Sequence, residues 1–132
     1  MRNFEMPGRS PVFAANGLCA TSHPLAAQAA VRILQDGGNA VDAAIAGAVL
    51  LGFAEPQMAG LGGDCFVLLK PPGEERILAL NGSGRAPRGL DADRLRAAGA
   101  TAIGTESAEA VTVPGAVDAF CRLSAEWGRL GL

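Results

Sequence analysis

"PLAAQAAVRILQDGGNAVDAAIAGAVLLGFAEP", Pro24 to Pro56, encodes two helices and the junction between them. Gln28, Arg32, Gln35 and Asp36 recur at helical spacing, opposite a stripe of Ala26, Ala30, Ile33 and Leu34, so the first half predicts an amphipathic helix with one wet face. Gly37-Gly38 ends it, because glycine adopts the left-handed conformation that closes a helix. Asn39 then offers its side chain as the next amino-terminal cap. Asp42 stands where a carboxylate reaches back to that cap and meets the positive end of the helix dipole. A second helix is therefore expected to start where the first stops. From Ala43 to Ala54 it carries no charge and is apolar on every side, which demands cover all round. The run is well short of the roughly 18 to 20 apolar residues that span a bilayer, so it predicts a buried helix and no membrane span.

Outward from this core, residues 12–21, "VFAANGLCAT", read as extended segments broken at the turn-forming pair Asn16-Gly17, a short hairpin or bent strand. Glu55-Pro56 stops the second helix. "CFVLLK" and "RILALN" then read as two strands joined by the polar turn "PPGEE", the first apolar enough to be buried on both faces. Asp91 opens a short charged helix over 91–98. Pro114, at a first-turn position, leads a third substantial helix with Val117, Phe120, Leu123 and Trp127 on its apolar side, Trp127 being a core residue rather than a ligand platform. The order strand, helix, helix, hairpin, helix predicts an α+β layered fold. The all-apolar second helix has too little to hide beneath, which points to residues 1–132 being part of a larger domain.

Eleven Lys and Arg against 13 Asp and Glu, scattered along the chain, leave no basic stripe for phosphates, so nucleic acid is not an expected partner. Aromatics are only 5% of a chain that is 49% hydrophobic, so small side chains must build the interior. The polar, proline-interrupted amino terminus has no apolar signal-peptide core, which predicts a cytoplasmic location. Cys19, Cys65 and Cys121 are far apart, without a C-x-x-C pair, and the chain has 1 histidine; no metal or other cofactor is expected, and each cysteine reads as a small core residue.

Three polar stretches could carry chemistry. Thr21-Ser22-His23 looks like a nucleophile beside its base, but working pairs meet through the fold, and Ser22 or His23 followed by Pro24 reads better as a helix start. "GLGGD", Gly60 to Asp64, lacks the lysine of a P-loop and precedes a strand; it is either a tight turn or a loop whose N–H groups approach an anion. "NGSGRAP", Asn81 to Pro87, places Arg85 after a strand, where it could clamp a carboxylate or be a solvated loop charge.

The residues also carry a family likeness. "SHPLAAQAAVRILQDGGNAVDAAIAGAVLLGFAEPQMAGLGGDCF" resembles the amino-terminal signature of the γ-glutamyltransferase family in its S-H-P-L-A start, its G-G-N-A-V-D-A-A junction and its E-P-x-x-x-G-x-G-G turn, and Val113-Pro114-Gly115 is similar to the family's V-P-G helix start. The resemblance implies an N-terminal-nucleophile hydrolase, here a partial αββα sandwich, made as a proenzyme that cuts itself to expose a threonine nucleophile. It implies no catalytic residue in this chain. The implied partners are the remainder of the large subunit, the small subunit and a small-molecule amide of the glutathione type. Members similar in an F-R-E-x-A-P segment hold the substrate α-carboxylate with its arginine; aligned on Ala86-Pro87 that position is Ser83, and Arg85, two residues on, is the candidate replacement. Gly82 and Gly84 are expected to leave this segment's backbone unpinned. Asp64 replaces a further glycine. Both departures resemble a divergent branch acting on other amides. A reading of another class is a non-catalytic domain that binds a partner through exposed apolar surface.

Overall fold

The computed structural model describes residues 10–132; the first nine residues of the amino-terminal stretch lie outside them. α1 (Pro24–Gln35) and α2 (Ala40–Ala54) are followed by the antiparallel strands β1 (Cys65–Leu69) and β2 (Leu78–Gly82), then α3 (Ala92–Ala97), a 3-10 turn at Ala108–Ala110, and α4 (Ala116–Trp127). This is a small mixed arrangement of helices and one hairpin, as the α+β reading expects.

The helix junction forms as its residues dictate. The Asn39 side chain accepts from the N–H groups of Val41 and Asp42, and Asp42 accepts from Asn39 N–H at 2.8 Å, a complete capping box. α1 lies along α2 because both present small residues: Ala26 and Ala30 are sealed, and Gly47 of α2 faces the Ala26 carbonyl and Ala30 Cβ. α4 packs against α2 and both strands. Val41, Ile45 and Leu123 form the centre, with Val67, Leu69, Leu80, Phe120 and Trp127 against them.

The same capping box reaches across the molecule. Asn39 Nδ2 donates to the Trp127 carbonyl at 2.6 Å, and the buried Asp42 carboxylate accepts from Arg129 N–H and Leu130 N–H, so the end of α4 is tied to the start of α2. Burial by itself raises the pKa of Asp42, but the N–H groups of Asn39, Arg129 and Leu130 and the Arg129 charge outweigh it and hold the carboxyl below its ordinary value.

Four expectations are corrected. Residues 12–21 form no strand among the described residues: the sheet consists of β1 and β2 alone, and Phe13 is left 91% exposed. β1 is covered on one face only: Val67 and Leu69 point to the core, while Phe66 is 68% and Leu68 78% exposed. Cys121 is exposed and Cys19 and Cys65 are only half-buried, because α4 turns Ala116, Ala119 and Leu123 inward and leaves Cys121 on its outer side. Pro114 precedes the Gly115 cap instead of occupying the first turn, and Val117 stays exposed while Ala116 takes its place in the buried stripe. Among the described residues no helix is long and apolar enough to cross a membrane.

Since folding lowers the Asp42 pKa from 3.8, ionised Asp42 stabilises the fold at pH above that value, and the contribution is lost as pH falls through the lower folded value. Asp42→Ala is expected to cost about 2–3 kcal/mol in urea unfolding near pH 7, since it removes a cap partner and strands buried N–H groups. The loss should shrink as the pH of the titration falls below 3.8 and through the lower folded value, since the wild-type carboxyl then takes up its own proton.

Candidate functional site

Three loops converge where the hairpin meets α4, and backbone geometry brings them together. The turn at Gly60–Gly63 closes with Gly63 N–H donating to the Gly60 carbonyl at 3.2 Å. The Gly63 carbonyl in turn accepts from Gly115 N–H at 3.1 Å and Ala116 N–H at 3.0 Å, satisfying the first donors of α4, which has no side-chain cap. "GLGGD" is thus a tight turn whose carbonyl seats a helix.

Cys65 pairs with Gly82 at the end of the hairpin, so Asp64 stands just beyond the last rung. Its Oδ1 accepts from Gly84 N–H at 2.7 Å and from Thr112 Oγ1 at 3.4 Å. On the other side of the segment, Val113 N–H donates to the Arg85 carbonyl at 2.9 Å, and Ser83 N–H donates to Asn81 Oδ1 at 2.9 Å. Residues 83–85 are therefore held by a backbone bond at each residue, which corrects the expectation that glycine leaves them unpinned. Gly84 is glycine because of proximity: a Cβ there would lie 1.7 Å from the Val113 carbonyl oxygen. Gly115 is similarly enclosed, its Cβ position 2.3 Å from the Gly82 carbonyl oxygen.

Both predicted site residues are in this braced segment and both are exposed. Ser83 Oγ donates to the Gly84 carbonyl at 3.3 Å. The Arg85 guanidinium makes no ion pair among the described residues, as is also true of Arg88, Arg94 and Arg129, whereas Arg32, Arg76, Arg96 and Arg122 each pair with a nearby carboxylate. Next to the loops lies an open cleft of about 540 Å³ bordered by Pro56, Met58, Gly60, Asp64, Phe66 and Phe120.

The other candidates are structural. His23 Nδ1 accepts from Leu25 N–H at 3.2 Å, capping α1, and Ser22 Oγ donates to Glu55 Oε2 at 2.7 Å, tying the start of α1 to the end of α2. No nucleophile and base are paired there. Burial pushes the Cys65 thiol up, away from a reactive thiolate. Among the described residues no cluster of 3 or more His, Cys, Asp or Glu side chains could hold a metal ion. Sequence reading noted Asp64 only as a departure from a glycine pattern; its grip on Gly84 depends on where β2 ends, which no local signal gives.

The arrangement of two helices, a glycine turn and a V-P-G helix start can now be set beside known proteins. The family model described as gamma-glutamyltranspeptidase matches residues 26–132. The chain belongs to the gamma-glutamyltranspeptidase family. It is 42% identical over 111 residues to the glutathione hydrolase-like YwrD proenzyme of Bacillus subtilis, covering 83% of this chain and 21% of that protein. The structure of a cephalosporin acylase from Bacillus halodurans superposes with a TM-score of 0.84 at 44% identity, over 97% of this chain and 24% of that one. The Helicobacter pylori gamma-glutamyltranspeptidase gives a TM-score of 0.80 at 27% identity, over 91% of this chain and 35% of that one. This gamma-glutamyltranspeptidase-family chain thus spans about a fifth of the curated relative's length.

Gly84→Ala is expected to force residues 84 and 113 apart, costing about 2–3 kcal/mol in urea unfolding. Gly89→Ala, where nothing stands within 4 Å of the added methyl, is the control and should change stability by less than about 0.5 kcal/mol.

Proposed function

We propose that this chain is the amino-terminal portion of the large subunit of a self-processing amide acyltransferase or hydrolase, one edge of an αββα sandwich. In this reading it supplies scaffold and one carboxylate contact, while the threonine nucleophile lies in the part of its relatives' length that it does not span. The threonine hydroxyl adds to the substrate carbonyl with its own α-amine taking the proton. The C–N bond breaks as that proton passes to the leaving amine, and water or an acceptor amine then cleaves the ester. Backbone N–H donors stabilise the tetrahedral oxyanion.

The observation that carries the substrate reading is Arg85: an exposed guanidinium without an ion pair among the described residues, on a backbone segment fixed at residues 83, 84 and 85. A planar fork on a fixed base suits bidentate recognition of a carboxylate. Ser83, at the position where the family resemblance places an arginine, contributes a hydroxyl and no charge. Remaining partners are the rest of the large subunit and the small subunit, which would cover the apolar residues left open here, Phe53, Phe66 and Leu68.

A second reading is that the whole protein prefers amides other than γ-glutamyl compounds. The uncharged Ser83 favours it, as does the likeness to a structure described as a cephalosporin acylase. A panel of anilides on the whole protein separates the two: faster release from the γ-glutamyl anilide supports the first, and faster release from a dicarboxylic monoanilide lacking the α-amino acid group supports the second.

The 132-residue chain alone is expected to release no aniline from a γ-glutamyl anilide; turnover would overturn the assignment of the nucleophile to another segment. In the whole protein Arg85→Ala should raise KM for the carboxylate-bearing substrate at least about tenfold with kcat nearly unchanged, as expected for a lost charge-assisted bond. Arg85→Lys should recover only part of it.

A further inference from the structure

We propose that Asp64 is a positioning residue: its carboxylate clamps the 83–85 segment against the start of α4 and so fixes the base from which Arg85 reaches substrate. The consequence for substrate rests on the role proposed for Arg85; the clamp itself does not.

The case is geometric. β2 ends at Gly82, opposite Cys65, and beyond that rung the ladder can no longer hold the chain. Asp64 is the residue before Cys65, and its side chain takes over the work of the missing rung by accepting from Gly84 N–H at 2.7 Å, the short distance of a charge-assisted bond. The same Oδ1 receives the Thr112 hydroxyl at 3.4 Å, one residue before the Val113 N–H that holds the Arg85 carbonyl. One oxygen thus joins the glycine turn, the end of β2 and the approach to α4. Gly84 is pressed against Val113, and the Asp64 carboxylate holds its N–H. The Arg85 backbone is left with little freedom, while its side chain is not engaged in any of these bonds.

The test uses the whole processed protein and a carboxylate-bearing anilide. Asp64→Ala is expected to raise KM about tenfold while kcat stays within about twofold, the pattern of a misplaced binding group. Asp64→Asn, which keeps an acceptor oxygen, should recover most of the loss. In an Arg85→Ala background Asp64→Ala should add nothing further, since both act through one contact. An unchanged KM in Asp64→Ala, or the same increment with and without Arg85, would overturn the positioning role. Amide hydrogen exchange over residues 83–85 and 112–115 tests the clamp independently of activity. Faster exchange in Asp64→Ala confined to these segments supports it; unchanged exchange there overturns it. If Arg85→Ala itself leaves KM unchanged, the substrate role of Arg85 fails, and exchange alone decides on the clamp. Should Asp64→Ala not fold or process, the milder Asp64→Ser, too short to reach Gly84 N–H, takes its place with the same outcomes.

Discussion

The Asp42 carboxylate is the point on which the rest of the structure depends. It closes the capping box at the start of α2 and, with its remaining acceptor capacity, receives the backbone N–H groups that follow α4. A carboxylate buried to this degree is tolerated only because its oxygens are met by N–H donors. Asn39 completes the joint by donating to the Trp127 carbonyl, one of the acceptors left open at a helix end. Through these bonds α4 is fixed across α2, and the hairpin, which packs on α4, inherits its position. The placing of Arg85 is the last consequence of that chain of contacts.

Small residues make this geometry possible. Where α1 meets α2 the sealed side chains are alanines, and Gly47 faces the Ala26 carbonyl and the Ala30 Cβ. At the loop cluster glycine itself is required, because residues 84 and 115 abut carbonyls of neighbouring segments. Close backbone contact brings dispersion and hydrogen bonding at little side-chain entropy cost, but it buries little apolar area. The larger hydrophobes are accordingly on the open sides: Phe53 is 84% exposed, and the outer face of β1 carries Phe66 and Leu68.

Much of the fold was legible because it is written in local chemistry. The helix periodicity of residues 24–35, the Gly37-Gly38 stop, the Asn39–Asp42 box, the Asp91 cap and the proline-glycine turn between the strands each act within a few residues of themselves, and each appears where its pattern placed it. A helix start at Ser22 or His23, rather than a nucleophile and base, was legible for the same reason, and the structure makes His23 the cap. Errors arose wherever the outcome depended on a distant partner. Residues 12–21 have strand-like composition but pair with neither strand of the sheet, the apolar run of β1 says nothing about which face is covered, and cysteine type does not tell which side of α4 Cys121 faces. Glycine at 84 suggested looseness, and proximity made it the tightest point of its loop.

By itself the sequence determined the helices, the caps of α2 and α3, the hairpin and the family to which the chain belongs, because spacing and cap chemistry are properties of neighbouring residues. It also singled out Ser83 and Arg85 as the polar pair to watch. Only the tertiary structure decided that Asp42 reaches α4 and that Asp64 grips Gly84, contacts between residues separated by 87 and 20 positions. A hydrogen bond forms only where the fold has already brought donor and acceptor within about 3 Å. No periodicity or propensity carries that distance; it is set by the packing of α4 on α2 and by the rung at which β2 ends.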